Sequence, residues 1–169
     1  LTYKRDIVRN QLARIAQLAP PVAPVVGMDQ PWHYRNHVQF TLDADRNLGY
    51  LAARSHDVIA IEECYLPHPF IEDMLVSLDV DFPSLERLAF RVGTRTGDRM
   101  LVLETGGTQV PELEVDIPVS CVLMPAEGDP IPLVGPGFLY EQIGSQRFRI
   151  SADSFFQVNT QQAEQLVRL

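Results

Sequence analysis

The sequence predicts an α+β protein in which a mainly antiparallel sheet is packed with a few helices. Three observations lead there. Between His37 and Ile150 the apolar residues either alternate with polar ones or form short runs, the signature of strands. Gly, Asn, Asp and Pro clusters separate these runs at the spacings of hairpins. Three-to-four spacing of apolar residues, which marks helices, is confined to the start, the region near residue 70 and the end. With 169 residues, 46% of them hydrophobic, the chain is long enough to bury a real core and form one domain with appendages.

Residues 1 to 18 place Leu1, Val8, Leu12 and Ile15 on one side of a helix. No capping residue precedes it, and Pro20, Pro21 and Pro24 stop it because proline removes an amide donor and restricts its predecessor. From His37 the pattern alternates: Val38, Phe40 and Leu42 face one way, Gln39, Thr41 and Asp43 the other. Asp45-Arg46-Asn47 is a turn, and residues 48 to 53 and 58 to 62 supply two more strands of a meander closing at Cys64. A helix follows near 68 to 79, with Pro69 in its first turn, a stripe of Ile71, Met74, Leu75 and Leu78, and a break at Asp81-Phe82-Pro83.

Residues 88 to 92 and 100 to 103 flank Gly93-Thr94-Arg95-Thr96-Gly97-Asp98, a long hairpin with two glycines available for positive φ. Residues 119 to 124 form another apolar run, residues 111 to 136 otherwise read as irregular, and Gly135-Pro136-Gly137 is a turn. Residues 138 to 143 and 147 to 150 surround Gly144-Ser145, a further hairpin. Asn159 and Gln162 resemble a capping box that opens a new helix with Ala163, Leu166 and Val167 on its apolar face. This helix reaches the last residue within about ten positions, short for an independent helix. The uncapped opening and the abrupt end lead us to expect a piece of a longer protein, with a central domain over 1–150 and the beginning of another over 151–169.

The net charge of −8 opposes the usual footprint of a free-standing nucleic-acid binder, which concentrates Lys and Arg against phosphates. Any such contact must be local. Three basic places are available: Lys4, Arg5, Arg9 and Arg14 on the opening helix; the stretch His33 to His37; and Arg91, Arg95 and Arg99. For each, a solvated face is the plain alternative. The apolar runs are interrupted well before the roughly 18 residues of a membrane span, which, with two widely separated cysteines, fits a reducing, cytoplasmic setting.

Neither a glycine-rich nucleotide fingerprint nor a P-loop lysine is present, and no Cys-x-x-Cys pair offers a metal site. Cys64 lies at a strand end beside Glu62 and Glu63, where it either reaches a ligand or is a small buried hydrophobe. Cys121, inside an apolar run, reads as core. The segment from Phe148 to Thr160 is densest in chemistry: adjacent aromatics Phe155 and Phe156, and Gln157, whose carboxamide both donates and accepts.

This last segment resembles the pattern F-x-I-S-x-x-S-F-F-Q-V-N that precedes the methyl-donor domain of the RNA uracil-5-methyltransferases. Other likenesses fall in the same order along the chain. L-T-Y-K-R-D-I-V-R-N-Q-L-A-R-I at 1–15 looks like the helix that follows the first three cluster cysteines of that family, and Tyr34-Arg35-Asn36 like its strand entry. Arg54-Ser55-His56 and Ile59-Ala60-Ile61-Glu62-Glu63-Cys64 resemble its strand leading to the fourth cluster cysteine.

The resemblance implies a parent enzyme that uses S-adenosylmethionine to methylate carbon 5 of a uridine, in 23S ribosomal RNA rather than transfer RNA. In that family a cysteine adds to carbon 6 of a flipped-out uracil and a carboxylate removes the carbon 5 proton. Neither residue has a counterpart here, so this stretch is not expected to be catalytic alone. Cys64 corresponds to the fourth ligand of a four-iron four-sulfur cluster, Gln157 to a glutamine at the donor site with Phe155 as an aromatic wall, and Arg35 to an arginine facing RNA. The preference for ribosomal RNA rests on Cys64, because the transfer-RNA branch generally lacks the cluster. An RNA-binding or scaffold module without catalysis is the rival reading.

Overall fold

The computed structural model describes residues 1–78, 82–107, 109–111 and 116–169. They fall into two units, Leu1–Gln30 and Pro31–Leu169. In the first, helix α1 (Thr2–Gln11) continues into a π-helical turn, Leu12–Ala16. No side chain caps its start, as expected, and the chain leaves the helix through Gln17 in the left-handed region at φ 54°. None of its residues is buried.

The second unit is built on a seven-stranded sheet. Its strands are β1 (His37–Leu42), β2 (Leu48–Leu51), β3 (Val58–Ala60), β4 (Leu85–Val92), β5 (Arg99–Thr105), β6 (Ser120–Pro125) and β7 (Ile131–Val134). Their spatial order is β3-β2-β1-β4-β5-β6-β7. All neighbours are antiparallel except β5 and β6, which run parallel with Leu101 opposite Cys121. The expected α+β class with a mainly antiparallel sheet is therefore what forms.

The middle strands are buried on both faces, which is why Leu101-Val102-Leu103 and Cys121-Val122-Leu123 are continuous apolar runs rather than alternating ones. On one face Phe40, Leu88, Phe90, Leu101, Leu103 and Leu123 pack with Ile71 and Met74 of helix α2 (Pro69–Val76). Ile71, Met74 and Leu75 of the expected stripe lie on α2 with its proline in the first turn, but the helix ends at Val76, so Leu78 packs against the core from beyond it; His68 caps the start by accepting from the Phe70 amide at 3.3 Å. The Asp81 part of the expected break lies outside the described residues. On the other face Ala89, Met100, Val102 and Val122 meet Leu139 and Ile150. These last two belong to a separate ribbon, β8 (Phe138–Ile143) and β9 (Gln146–Ser151), joined by Gly144 at φ 57°. Helix α3 (Thr160–Arg168) follows.

Two expectations are corrected. Residues 131–134, read as irregular, form β7 despite Pro132, because β7 is the last strand in the sheet order and an edge strand needs fewer amide donors. Of the two hairpin glycines only Gly97 has positive φ, at 80°. Gly93 is there for space: a Cβ would run into the Thr96 hydroxyl and the Tyr140 carbonyl, where the ribbon meets the hairpin.

Candidate functional site

The segment 151–160 is held through its backbone by two buried side chains that come from distant parts of the chain. Arg91 on β4, 4% exposed, donates to the carbonyls of Ser151 at 2.7 Å, Ala152 at 2.9 Å and Ser154 at 2.6 Å. Asn36, 5% exposed at the entry to β1, donates from Nδ2 to the Gln157 carbonyl at 2.9 Å and to Thr160 Oγ1 at 3.0 Å. Its own amide donates to the Val158 carbonyl at 2.9 Å, and its carbonyl accepts from Val92 at 2.8 Å. Thr160 in turn donates to Glu141 Oε2 at 2.7 Å.

Glu141 is fully buried on β8, and five donors converge on its carboxylate. Thr94 gives its amide and hydroxyl, both at 2.8 Å, Arg95 its amide at 3.1 Å and Gln142 its amide at 2.8 Å, with Thr160 the fifth. A buried carboxylate is tolerated only when so satisfied. The result is a polar knot tying the β4–β5 hairpin, the ribbon and the start of α3. Asn159 caps α3, accepting from the Gln162 amide at 2.9 Å.

With the backbone so fixed, the side chains of 155–157 alternate. Phe156 points inward to the second core cluster and meets Phe148 at 5.9 Å between ring centroids. Phe155, 82% exposed, and Gln157 point into solvent. The two residues expected at a donor site are thus open to a ligand, on a loop that does not need them for its own packing. Arg91 and Glu141 were not singled out for this role by their sequence; a lone Arg or Glu within an otherwise apolar strand run was the signal available.

Cys64 lies elsewhere, in a cleft of about 510 Å³ lined by His33, Phe40, Leu48, Glu72 and Leu75 among others. It is half-buried and unpaired, and its sulfur lies 4.0 Å from the Tyr50 hydroxyl. Burial, then the neighbouring Cys64, push the Tyr50 hydroxyl up to about 12. His33 contacts Glu72 at 3.0 Å and the Pro67 carbonyl at 3.2 Å. Among the described residues no three His, Cys, Asp or Glu side chains gather as a metal site. Cys121 is core, and burial pushes its thiol up to about 12.

Arg35 sits between these places. Its backbone pairs with Pro67, and its Nε is buried without a hydrogen-bond partner. Several of the other basic residues named from the sequence are engaged by neighbouring groups. Arg91 is the buried clamp described above, Arg95 pairs with Glu164 at 2.6 Å, and Arg99 pairs with Asp73 at 3.1 Å while covering the Phe70 ring. Arg9 pairs with Asp6 at 2.9 Å within α1.

Proteins named RNA methyltransferases match this chain nearly end to end. One from Enterococcus faecalis is 33% identical over 97% of the chain and 44% of its own length. Others from Streptomyces avermitilis and Halalkalibacterium halodurans are each 30% identical over 98% of the chain. This chain is a homologue of proteins named RNA methyltransferases. It spans less than half the length of these relatives, 41% of that from Streptomyces avermitilis. The fold matches the crystal structure of Pyrococcus abyssi tRNA (uracil-54, C5)-methyltransferase in complex with S-adenosyl-L-homocysteine. That match has a TM-score of 0.69 and 22% identity over 99% of this chain and 47% of the other. No family model matches. Among the described residues no helix is long and apolar enough to cross a membrane.

Proposed function

We infer that this chain is the central portion of an S-adenosylmethionine-dependent RNA methyltransferase that methylates carbon 5 of a uridine in 23S ribosomal RNA. The observation that carries the reading is the pinned segment 151–160 presenting Phe155 and Gln157 to solvent, in a chain whose homologues are named RNA methyltransferases. Residues 151–169 are the part that leads into the donor-binding domain. The nucleophile and the base are assigned to no residue of this chain.

S-adenosylmethionine, when bound, supplies the electrophilic methyl group. Gln157 would hold a polar edge of the donor or of the base through its exposed carboxamide. Phe155 would form an aromatic wall that keeps water away from one side. Arg35, half-buried with its Nε shut away from solvent, would face the RNA through the outer nitrogens of its guanidinium. Cys64 fits a cluster only as one of four thiolates: it is accessible from the cleft and free of a disulfide. The fold neighbour is named a tRNA methyltransferase, so transfer RNA is the competing substrate.

The test uses the full-length protein, purified without oxygen, with labelled S-adenosylmethionine and either 23S ribosomal RNA or transfer RNA. Methyl transfer to the ribosomal RNA is expected, falling at least about tenfold in kcat/KM for Gln157→Ala. Brown cluster absorption is expected in the wild type and not in Cys64→Ala. Transfer to tRNA alone overturns the substrate, and a colourless protein overturns Cys64 as a ligand. No transfer to either RNA leaves a binding or scaffold module.

A further inference from the structure

The β8–β9 ribbon has one closed face and one open one. Leu139, Glu141 and Ile150 close the first against the sheet and the polar knot. The second carries Phe138 and Tyr140 from β8 and Arg147 and Arg149 from β9, since Tyr140 lies opposite Arg149 and Gln142 opposite Arg147. Each guanidinium lies diagonally over a ring, Arg147 3.8 Å from the Tyr140 centroid and Arg149 4.2 Å from that of Phe138. The two rings meet edge to face at 5.4 Å, and residues 146–149 are all exposed.

In a chain of net charge −8, these two arginines stand together on one exposed face, each over an aromatic ring. The exposed Arg9, Arg87, Arg95 and Arg168 all pair with carboxylates, whereas no ion pair among the described residues involves Arg147 or Arg149. No ion pair offsets their positive charge, and each guanidinium carbon lies over the ring beneath it. A guanidinium lying over an aromatic ring can offer its outer face to an unstacked base and its N–H groups to a phosphate, the combination that single-stranded RNA requires. β9 also runs directly into the pinned segment, and Phe148 contacts Phe156 there. An acidic peptide would use the charge but not the stacked planes.

We propose that the open face of the β8–β9 ribbon, built from Phe138, Tyr140, Arg147 and Arg149, binds the single-stranded RNA flanking the base presented to Phe155 and Gln157. This deepens, and rests on, the RNA methyltransferase reading. The face was not evident from the sequence, although Arg147 and Arg149 alternate across a Gly-Ser turn from Phe138 and Tyr140.

The experiment is fluorescence anisotropy of labelled oligouridine against the 169-residue chain and its variants at several salt concentrations. The double variant Arg147→Ala with Arg149→Ala is expected to bind about tenfold more weakly. Its salt slope should be shallower by roughly 1.4, two single-strand phosphate contacts. The double variant Arg147→Lys with Arg149→Lys keeps the charge without the plane; it should recover the slope yet remain several-fold weaker, and also covers the case in which the alanine variant folds poorly. Arg87→Ala, which removes a cation elsewhere, should change neither.

Unchanged affinity and slope in both double variants overturns the ribbon as the RNA surface, as does a wild-type chain that binds no oligouridine. Equally tight binding of polyglutamate overturns RNA as the occupant in favour of an acidic peptide. Methyl transfer by the full-length protein is scored separately, so retained transfer with an unaffected ribbon variant rejects this surface alone, while loss of transfer in the wild type rejects the underlying reading.

Discussion

His37, in the Tyr-Arg-Asn-His stretch that enters β1, shows how one residue senses the packing around it. Burial, then Arg91, then Arg35, hold its imidazole down at about 4, well below the usual 6.5. The folded state therefore keeps His37 neutral where the unfolded chain would take a proton. Below about pH 6.5 the unfolded state binds more protons, so stability falls as the pH drops through the window from about 6.5 to about 4. The loss from this residue is at most about 3 kcal/mol. Thermal melts across this window should fall less steeply for His37→Gln than for the wild type; parallel curves would show that other groups carry the acid sensitivity.

At the scale of elements, the hairpin between β4 and β5 and the β8–β9 ribbon meet at Gly93. Its absent side chain lets the Tyr140 carbonyl and the Thr96 hydroxyl approach, and Thr96 donates to that carbonyl at 2.5 Å. Asp98 completes the junction, accepting from the Tyr140 amide at 2.8 Å. An added methyl has backbone on one side and cannot be absorbed by a rotamer change. Gly93→Ala should cost about 1–3 kcal/mol in urea denaturation, the range for overpacking a well-filled site. A change under about 0.5 kcal/mol, the ordinary surface range, would mean that the junction yields and is not a fixed hinge point.

At the scale of the whole second unit, Asn36 connects parts of the chain that are more than a hundred positions apart, from the first strand to the last helix. Removing its side chain leaves the Gln157 carbonyl and Thr160 hydroxyl short of a donor inside the protein. Asn36→Ala should therefore lower stability by about 2 kcal/mol. Amide exchange should accelerate over residues 157–163 while β4 and β5 stay protected. Uniform acceleration across the sheet would instead make Asn36 part of the global core rather than the fastening of one segment.

The sequence by itself determined the α+β class, most strand positions, the α2 stripe and the α3 cap, because periodicity, proline and capping act over a few neighbouring residues. Family likeness also marked Cys64, Arg35, Phe155 and Gln157. It did not reveal that β5 and β6 pair in parallel, that Arg91 and Glu141 are buried fasteners, or that Arg147 and Arg149 lie over aromatic rings. Whether an arginine ends in an ion pair, a carbonyl clamp or on a ring depends on which distant strand lies beside it. Glu141 and Thr160 are 19 positions apart, Arg91 and Ser151 60, and Asn36 and Thr160 124. Only the tertiary structure brings such groups within hydrogen-bonding reach, and in doing so it turns a local pattern into a held segment with exposed side chains.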